Sequence, residues 1–378
     1  MSNMFRSLVL VVVILLGCGK AEDAKNSNAD RPQAQSAEVQ NMRSPAKTGG
    51  DSAIVAAAQR AAPKPTVFAA TDLAKVLNVG DLPQINGTVA QEKSAVLLQA
   101  VVPGKTGDVA EYYRKELAAR GWEKVQQPGV QATEEYGSYR FQKDGHILDL
   151  SFSKYREVDT HMESAVQVVF HGNFDTRTLP IPEGKEDLYT SQTLCSYLTD
   201  RSVGDAVQWV KKALQAVGWQ QFVTDEASEE PNAENRTLMF RKQGYALTVF
   251  IGINPLKKKT HLQYSVAALA HELPTPPDTA KLQFDDNRWK LRCEVPGDMK
   301  TAAAFYQKAM PAAGYKALPS EEPHDTYWNL RFGTEQGDVI MVQVFSEKGK
   351  TTKVLIDGIP AAVMAKIKEG EGKPVRSR

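Results

Sequence analysis

One pattern, written three times, constrains this chain more than any other: YYRKELAARGW at residues 112–122, QWVKKALQAVGW at 208–219 and AFYQKAMPAAGY at 304–315. Gly121, Gly218 and Gly314 stand 97 and 96 residues apart, and a Leu-Pro pair precedes each stretch at 82–83, 179–180 and 273–274. Downstream, YRFQKDG, LMFRKQG and LRFGTEQG each run a phenylalanine strand into a glycine turn. Alternating apolar triplets follow: Leu148, Leu150, Phe152; Leu247, Val249, Ile251; Ile340, Val342, Val344. Alternation at period two behind a glycine turn predicts a hairpin whose second strand buries one face. A period this long exceeds the roughly 20–50 residues of solenoid units and points instead to a duplicated small domain.

The repeated stretch reads as a helix with a defined stop. In copy one Asp108 and Glu111 form a capping-box start, Val109, Tyr112, Tyr113 and Leu117 share an apolar face, and Glu111 precedes Lys115 by one turn. Glycine then supplies the left-handed residue that ends a helix, and Trp122, Trp219 or Tyr315 folds back as an apolar staple. Copy two repeats this with Asp205, Ala206, Trp209, Val210 and Leu214; in copy three Pro311 sits in the last turn and is expected to kink or shorten the helix. The fold class is therefore α+β: three tandem two-layer modules at 67–178, 179–272 and 273–360, each an antiparallel sheet with one helix across a face. Each module has one or two strands, the helix, then three strands. Proline-rich linkers, TRTLPIPEGKEDL and HELPTPPDTA, predict semi-rigid spacing between modules. Residues 361–378 form a polar C-terminal tail after a turn or two of helix.

The chain of 378 residues is 42% hydrophobic and 24% charged, enough apolar material for two or three packed domains. A net charge of +1 gives no field to gather nucleic acid, so no nucleic-acid partner is expected.

The longest apolar run, SLVLVVVILLG at 7–17, follows Arg6 and is too short for a membrane span but suits the core of an export signal. It ends in LLGC, which resembles the lipobox of bacterial lipoproteins. The resemblance implies that residues 1–17 are a signal peptide and that Cys18 is acylated and becomes the mature N-terminus. Several acyl chains, each buried CH₂ contributing about 0.8 kcal/mol, would make a permanent membrane anchor. The absence of aspartate after Cys18, where Gly19 stands, resembles the outer-membrane sorting pattern. Residues 18–66 lack aromatics and read as a disordered tether, roughly 40 Å end to end if it is a flexible coil. A short helix over 51–62 would be compatible with DSAIVAAAQRAA.

No motif for catalysis emerges. His161 and His171 recur as His261 and His271, with Lys353 and Asp357 at comparable places in copy three. Ten extended residues span about 33 Å, so neither pair can share a metal ion unless the strand folds back, and inherited strand-edge histidines explain the pattern better. An apparent HExxH at His271 fails because Thr275 is the fifth residue. Cys195 and Cys293, on the strand before the helix, read as buried free thiols 98 residues apart in different modules, with a disulfide between them as the alternative that an oxidising compartment permits. PGKTGD at 103–108 lacks the first glycine of a phosphate loop, Gln99 standing there, and Asp285-Asp286 in FDDNRW reads as a solvated turn. No cofactor or metal is expected.

A basic loop between the last two strands recurs: Lys154 and Arg156; Lys257, Lys258 and Lys259; Lys348, Lys350 and Lys353. These could engage an anionic polymer or lipid headgroups, against the plainer role of solvating a hairpin tip. The functional expectation is a non-enzymatic cell-envelope lipoprotein, a scaffold or assembly accessory that binds an envelope protein or polymer through its modules. The alternatives are an envelope hydrolase with a site between modules, and a small-ligand binder using a cleft between helix and sheet.

Overall fold

The computed structural model describes residues 66–126, 133, 135–158, 161–223, 235–346, 351–361 and 363–365. The signal segment, Cys18, the proposed helix over 51–62, Lys348, Lys350 and nearly all of the tether and tail lie outside these residues. Helical turns at Ala361 and 363–365 follow the last strand.

Copy one opens with helix α1 (Ala70–Val76). Strands β1 (Val89–Lys93) and β2 (Leu97–Pro103) follow, then α2 (Thr106–Ala119), β3 (Glu123–Val125), β4 (Tyr136–Lys143), β5 (His146–Val158) and β6 (His161–Gly172). Copy two repeats the order with β7 (Glu186–Thr190), β8 (Leu194–Thr199), α3 (Val203–Ala216), β9 (Gln220–Phe222), β10 (Asn235–Lys242), β11 (Tyr245–Ile253) and β12 (Thr260–Ala268). Copy three has β13 (Ala280–Asp285), β14 (Lys290–Val295), α4 (Met299–Ala312), β15 (Lys316–Leu318), β16 (Tyr327–Gly333), β17 (Val339–Ser346) and β18 (Thr352–Ile359).

All three sheets are six-stranded and antiparallel with one topology. In copy one the order is β1-β2-β6-β5-β4-β3, and the other copies match it strand for strand. The sequence reading expected three strands after the helix; there are four. The additional β3, β9 and β15 span three residues each, too few for a period-two signal. The predicted triplets are buried throughout, and each helix contacts central or adjoining strands of its own sheet: α2 meets β5, α3 meets β11 and α4 meets β17.

The helix stops have the form the sequence implies. Gly121, Gly218 and Gly314 take φ of +78°, +84° and +94°. Behind them Trp122 N–H donates to Leu117 O at 3.0 Å, Trp219 N–H to Leu214 O at 3.0 Å and Tyr315 N–H to Met310 O at 3.1 Å. The glycine N–H bonds one carbonyl nearer, completing a Schellman motif. Trp122 is 2% exposed, Trp219 3% and Tyr315 9%, so all three aromatics enter the core. Lys143 Nζ donates to Arg120 O and Lys242 Nζ to Val217 O, both at 2.8 Å, capping free carbonyls at the negative end of the helix. Thr334 takes that place in copy three.

The helix starts correct the sequence reading. α2 begins at Thr106 rather than behind Asp108, with no side-chain cap at Lys105. Buried Thr106 instead lies 3.2 Å, hydroxyl to hydroxyl, from Ser164. Ser202 caps α3 and Asp298 caps α4, accepting from the backbone N–H of Asp205 and Thr301. Glu111 pairs with Arg114 at 2.6 Å rather than closely with Lys115, at 3.8 Å. Pro311 does not shorten α4: all three helices have 14 residues, because the missing N–H falls in the last turn and Ala313 N–H still reaches Ala309 O.

The modules are packed together, not spaced. The described residues belong to one compact unit, and one apolar core runs through copies one and two. The core of copy three takes in Phe222, Leu269 and Leu273 from copy two and its linker. Leu273 is carried inward by the linker itself, which composition read as proline-rich spacing conceals. β6 contacts β12, and at the next joint Val223 bridges to β13 in parallel, its N–H donating to Leu282 O at 2.9 Å and its O accepting from Phe284 N–H at 3.0 Å. At Gly244 the backbone N–H donates to Phe68 O at 2.5 Å, and an added Cβ would collide with that oxygen.

Replacing Gly121 by alanine puts a Cβ in left-handed backbone and is expected to cost about 1–2 kcal/mol. Urea unfolding followed by tryptophan fluorescence should show a lower midpoint with an unchanged slope.

Candidate functional site

The residues singled out by sequence fall into separate places. Among the described residues no group of three or more His, Cys, Asp or Glu side chains is placed to hold a metal ion. Strand pairing also dissolves the histidine match. Phe152 faces Val166 and Ile251 faces Leu262, so His261 corresponds to Ala165, and His161 lies four residues farther along a longer hairpin. His261 Nε2 lies 2.6 Å from Ser196 Oγ, and burial lowers its pKa. His171 is part of the joint between copies one and two. Its Nε2 lies 3.1 Å from Asp149 Oδ2 and its Nδ1 3.0 Å from the Val266 carbonyl oxygen, while Arg140 holds Asp149 through two bonds of 2.8 and 2.7 Å. Asp149 is largely buried; despite that cost, the hydrogen bonds from Arg140 and His171 hold its carboxyl well below the usual range.

Cys195 and Cys293 are free and buried. They are not counterparts: Cys195 faces Tyr264, while Cys293 faces Val354 and matches Tyr197 of copy two. Burial pushes the Cys293 thiol up to about 11, which argues against a nucleophile. Beside it lies Arg241, 7% exposed, which donates to Leu273 O at 2.8 Å and Thr275 Oγ1 at 2.9 Å and sits 4.5 Å from the centre of the Phe284 ring. Burial lowers its pKa to about 10, so it remains a cation that ties the second linker to β10.

Asp286 departs most from the sequence reading. It is not solvated: its Oδ2 accepts from Ala270 N–H at 2.9 Å, and burial pushes its carboxyl up from 3.8 to about 6. Close by in sequence, His271 lies 3.9 Å from the Trp289 ring, and burial pushes it down from 6.5 to about 4. A turn-like FDD gives no sign that the chain entering the preceding linker will close over it.

Among the described basic residues, four near the β5–β6 and β11–β12 connections pair with carboxylates. Lys154 pairs with Glu157 at 3.0 Å, Arg156 with Glu163 at 2.5 Å, Lys257 with Glu186 at 2.8 Å and Lys259 with Asp200 at 3.1 Å. Lys258 occupies the tip with φ +57°, and Lys353 lies within β18 opposite Phe345.

The feature with the shape of a ligand site was not found by sequence reasoning. A cleft of about 420 Å³ opens in copy three between α4, β15 and β16. Leu318, Trp328, Leu330 and Phe332 supply its apolar wall, Gln307 reaches it from α4, and Glu321 and Glu322 stand at its rim. Asn329 Nδ2 holds Glu321 Oε2 at 2.7 Å. Comparison between copies explains the opening. Ala317 stands where copy one has Lys124, whose Nζ lies 3.6 Å from the centre of the Tyr139 ring, and Tyr139 in turn packs on Phe152 at 5.1 Å. In copy two Phe222 corresponds to Leu318 and packs on Phe284 of the next module, with ring centres 5.5 Å apart. The one legible signal was the small residue at 317, visible only once the register of the short strand is known.

The buried pair near the second linker generates a pH prediction. Between pH 4 and 6.5 the unfolded chain binds a proton that folded His271 refuses, so His271 makes stability rise with pH. Between pH 3.8 and 6 folded Asp286 keeps a proton that the unfolded chain has released, so Asp286 makes stability fall with pH. Urea midpoints measured from pH 4 to 6 should therefore climb more steeply in Asp286→Asn, and shift toward a fall in His271→Gln, than in the parent chain.

A family model described as START domain-like matches residues 84–168, which lie within copy one. No curated protein and no solved structure is matched.

Proposed function

We propose that this chain is a cell-envelope lipoprotein, held at the outer membrane through lipid on Cys18, that works by binding and not by turnover. The binding unit is the repeated sheet with its helix across one face, and the working site is the cleft of copy three. The observation that carries this reading is the cleft itself, about 420 Å³ between helix and sheet, with an apolar wall and a polar margin that includes Arg331. The START domain-like match to copy one supports it, because that description points to a ligand-binding fold and copy three shares the strand order of copy one. Fold alone does not assign a ligand.

An apolar ligand of modest size would lie against Trp328 and Leu318, gaining about 25 cal/mol per Å² of apolar surface removed from water. Glu321 and Glu322 would orient any polar end. The folded modules would present this cleft to envelope proteins or other cargo beyond the tether, in keeping with a scaffold or assembly-accessory role.

The test uses the neutral apolar fluorophore N-phenyl-1-naphthylamine. Its emission should rise on titration into the parent chain. Ala317→Lys, which restores the side chain of copy one at an exposed position, should weaken binding about tenfold, equivalent to about 1.4 kcal/mol. Trp328→Ala should weaken it as well. Equal binding by all three proteins would place the fluorophore elsewhere and remove the cleft from the account.

A further inference from the structure

The loop between β11 and β12 is built to hold an apolar side chain outward. Leu256 is 89% exposed and Ile253 44% exposed. The loop is pinned by its own backbone and by one asparagine: Leu256 N–H and Lys257 N–H both donate to Asn254 Oδ1, at 3.0 and 2.9 Å, and Lys258 N–H donates to Asn254 O at 2.9 Å. Asn254 N–H closes the loop on Lys259 O at 2.9 Å. Leu256 is thus held at the tip by local bonds, beside three consecutive lysines. The matching hairpin of copy one is longer, and its β5 strand carries an exposed aromatic among basic residues. Tyr155 is 40% exposed between Lys154 and Arg156, and Tyr136, 54% exposed, faces Ser153 beside it.

We infer that the β11–β12 tip is a second membrane contact, in which Leu256 enters the headgroup boundary of an anionic bilayer and Lys257, Lys258 and Lys259 bind its phosphates. The inference rests on reading the chain as membrane-anchored. A soluble polyanion would be served by the lysines alone and would leave no use for a leucine held in water. The carboxylates paired with Lys257 and Lys259 are themselves exposed, Glu186 by 42% and Asp200 by 79%, so these lysines can exchange partners at little cost.

The test places the environment-sensitive NBD fluorophore on Leu256→Cys in the full chain, with the parent chain treated identically as background and Gln215→Cys, at an exposed position near the end of α3, as a control site. Vesicles of phosphatidylcholine with and without phosphatidylglycerol are added, and flotation separately reads whether the chain is held on vesicles. The expected result is a blue-shifted, brighter signal at 256 with phosphatidylglycerol, absent at 215 and lost when Lys257, Lys258 and Lys259 are changed to glutamate. An unshifted signal at 256 on chains that float overturns the inference while leaving the anchor intact; failure to float indicts the anchor, and an unshifted signal still overturns the tip. An equal response to free polyphosphate assigns the tip to an anionic polymer and overturns the bilayer.

Discussion

The pairing of the strand before each helix with the last strand of the same copy determines the rest of the architecture. β2 lies beside β6, β8 beside β12 and β14 beside β18. Once that long-range pair forms, the chain leaving the helix must rejoin the sheet at its far edge, which is where β3, β9 and β15 lie. The helix then packs on the sheet between these two fixed ends. Gly121, Gly218 and Gly314 make the return possible, since each reverses the chain within one residue and buries the following aromatic.

Much of this was legible in the sequence because it is local and periodic. The glycine stops, the alternating triplets and the hairpin turns each leave a mark within a dozen residues. Three copies in register made those marks mutually confirming. The capping of α2 was misread because Asp108 and Glu111 mimic a start nearly one turn inside the real one, where buried Thr106 bonds Ser164 from a distant strand. The second cap was visible in Ser202, whose Oγ accepts from Asp205 N–H and donates to the Asp205 carboxylate, whereas the start was read at Asp205, too far along the chain.

What sequence could not show is how the copies meet. Linker prolines suggested spacers, yet Leu179, Leu269 and Leu273 beside them are buried, and a residue's neighbours in sequence do not reveal which core it enters. The same limit hid the environments of Asp286 and Arg241, polar residues enclosed by a linker that folds back over them. It also hid the cleft, which depends on the difference between Lys124 and Ala317 at matching edges of sheets far apart in the chain. The three copies therefore share a scaffold and differ in what fills the edge: a lysine lying over a tyrosine in the first, a phenylalanine committed to the next module in the second, and open space in the third.

Under the proposed function, that division makes the chain one binding body in which two edges serve packing and the open edge of copy three is left for a ligand. Native mass spectrometry of the chain purified from its source cells, without denaturation, tests this most directly. The account predicts one small molecule retained per chain and released on unfolding. Chains carrying none, or carrying three, would contradict it.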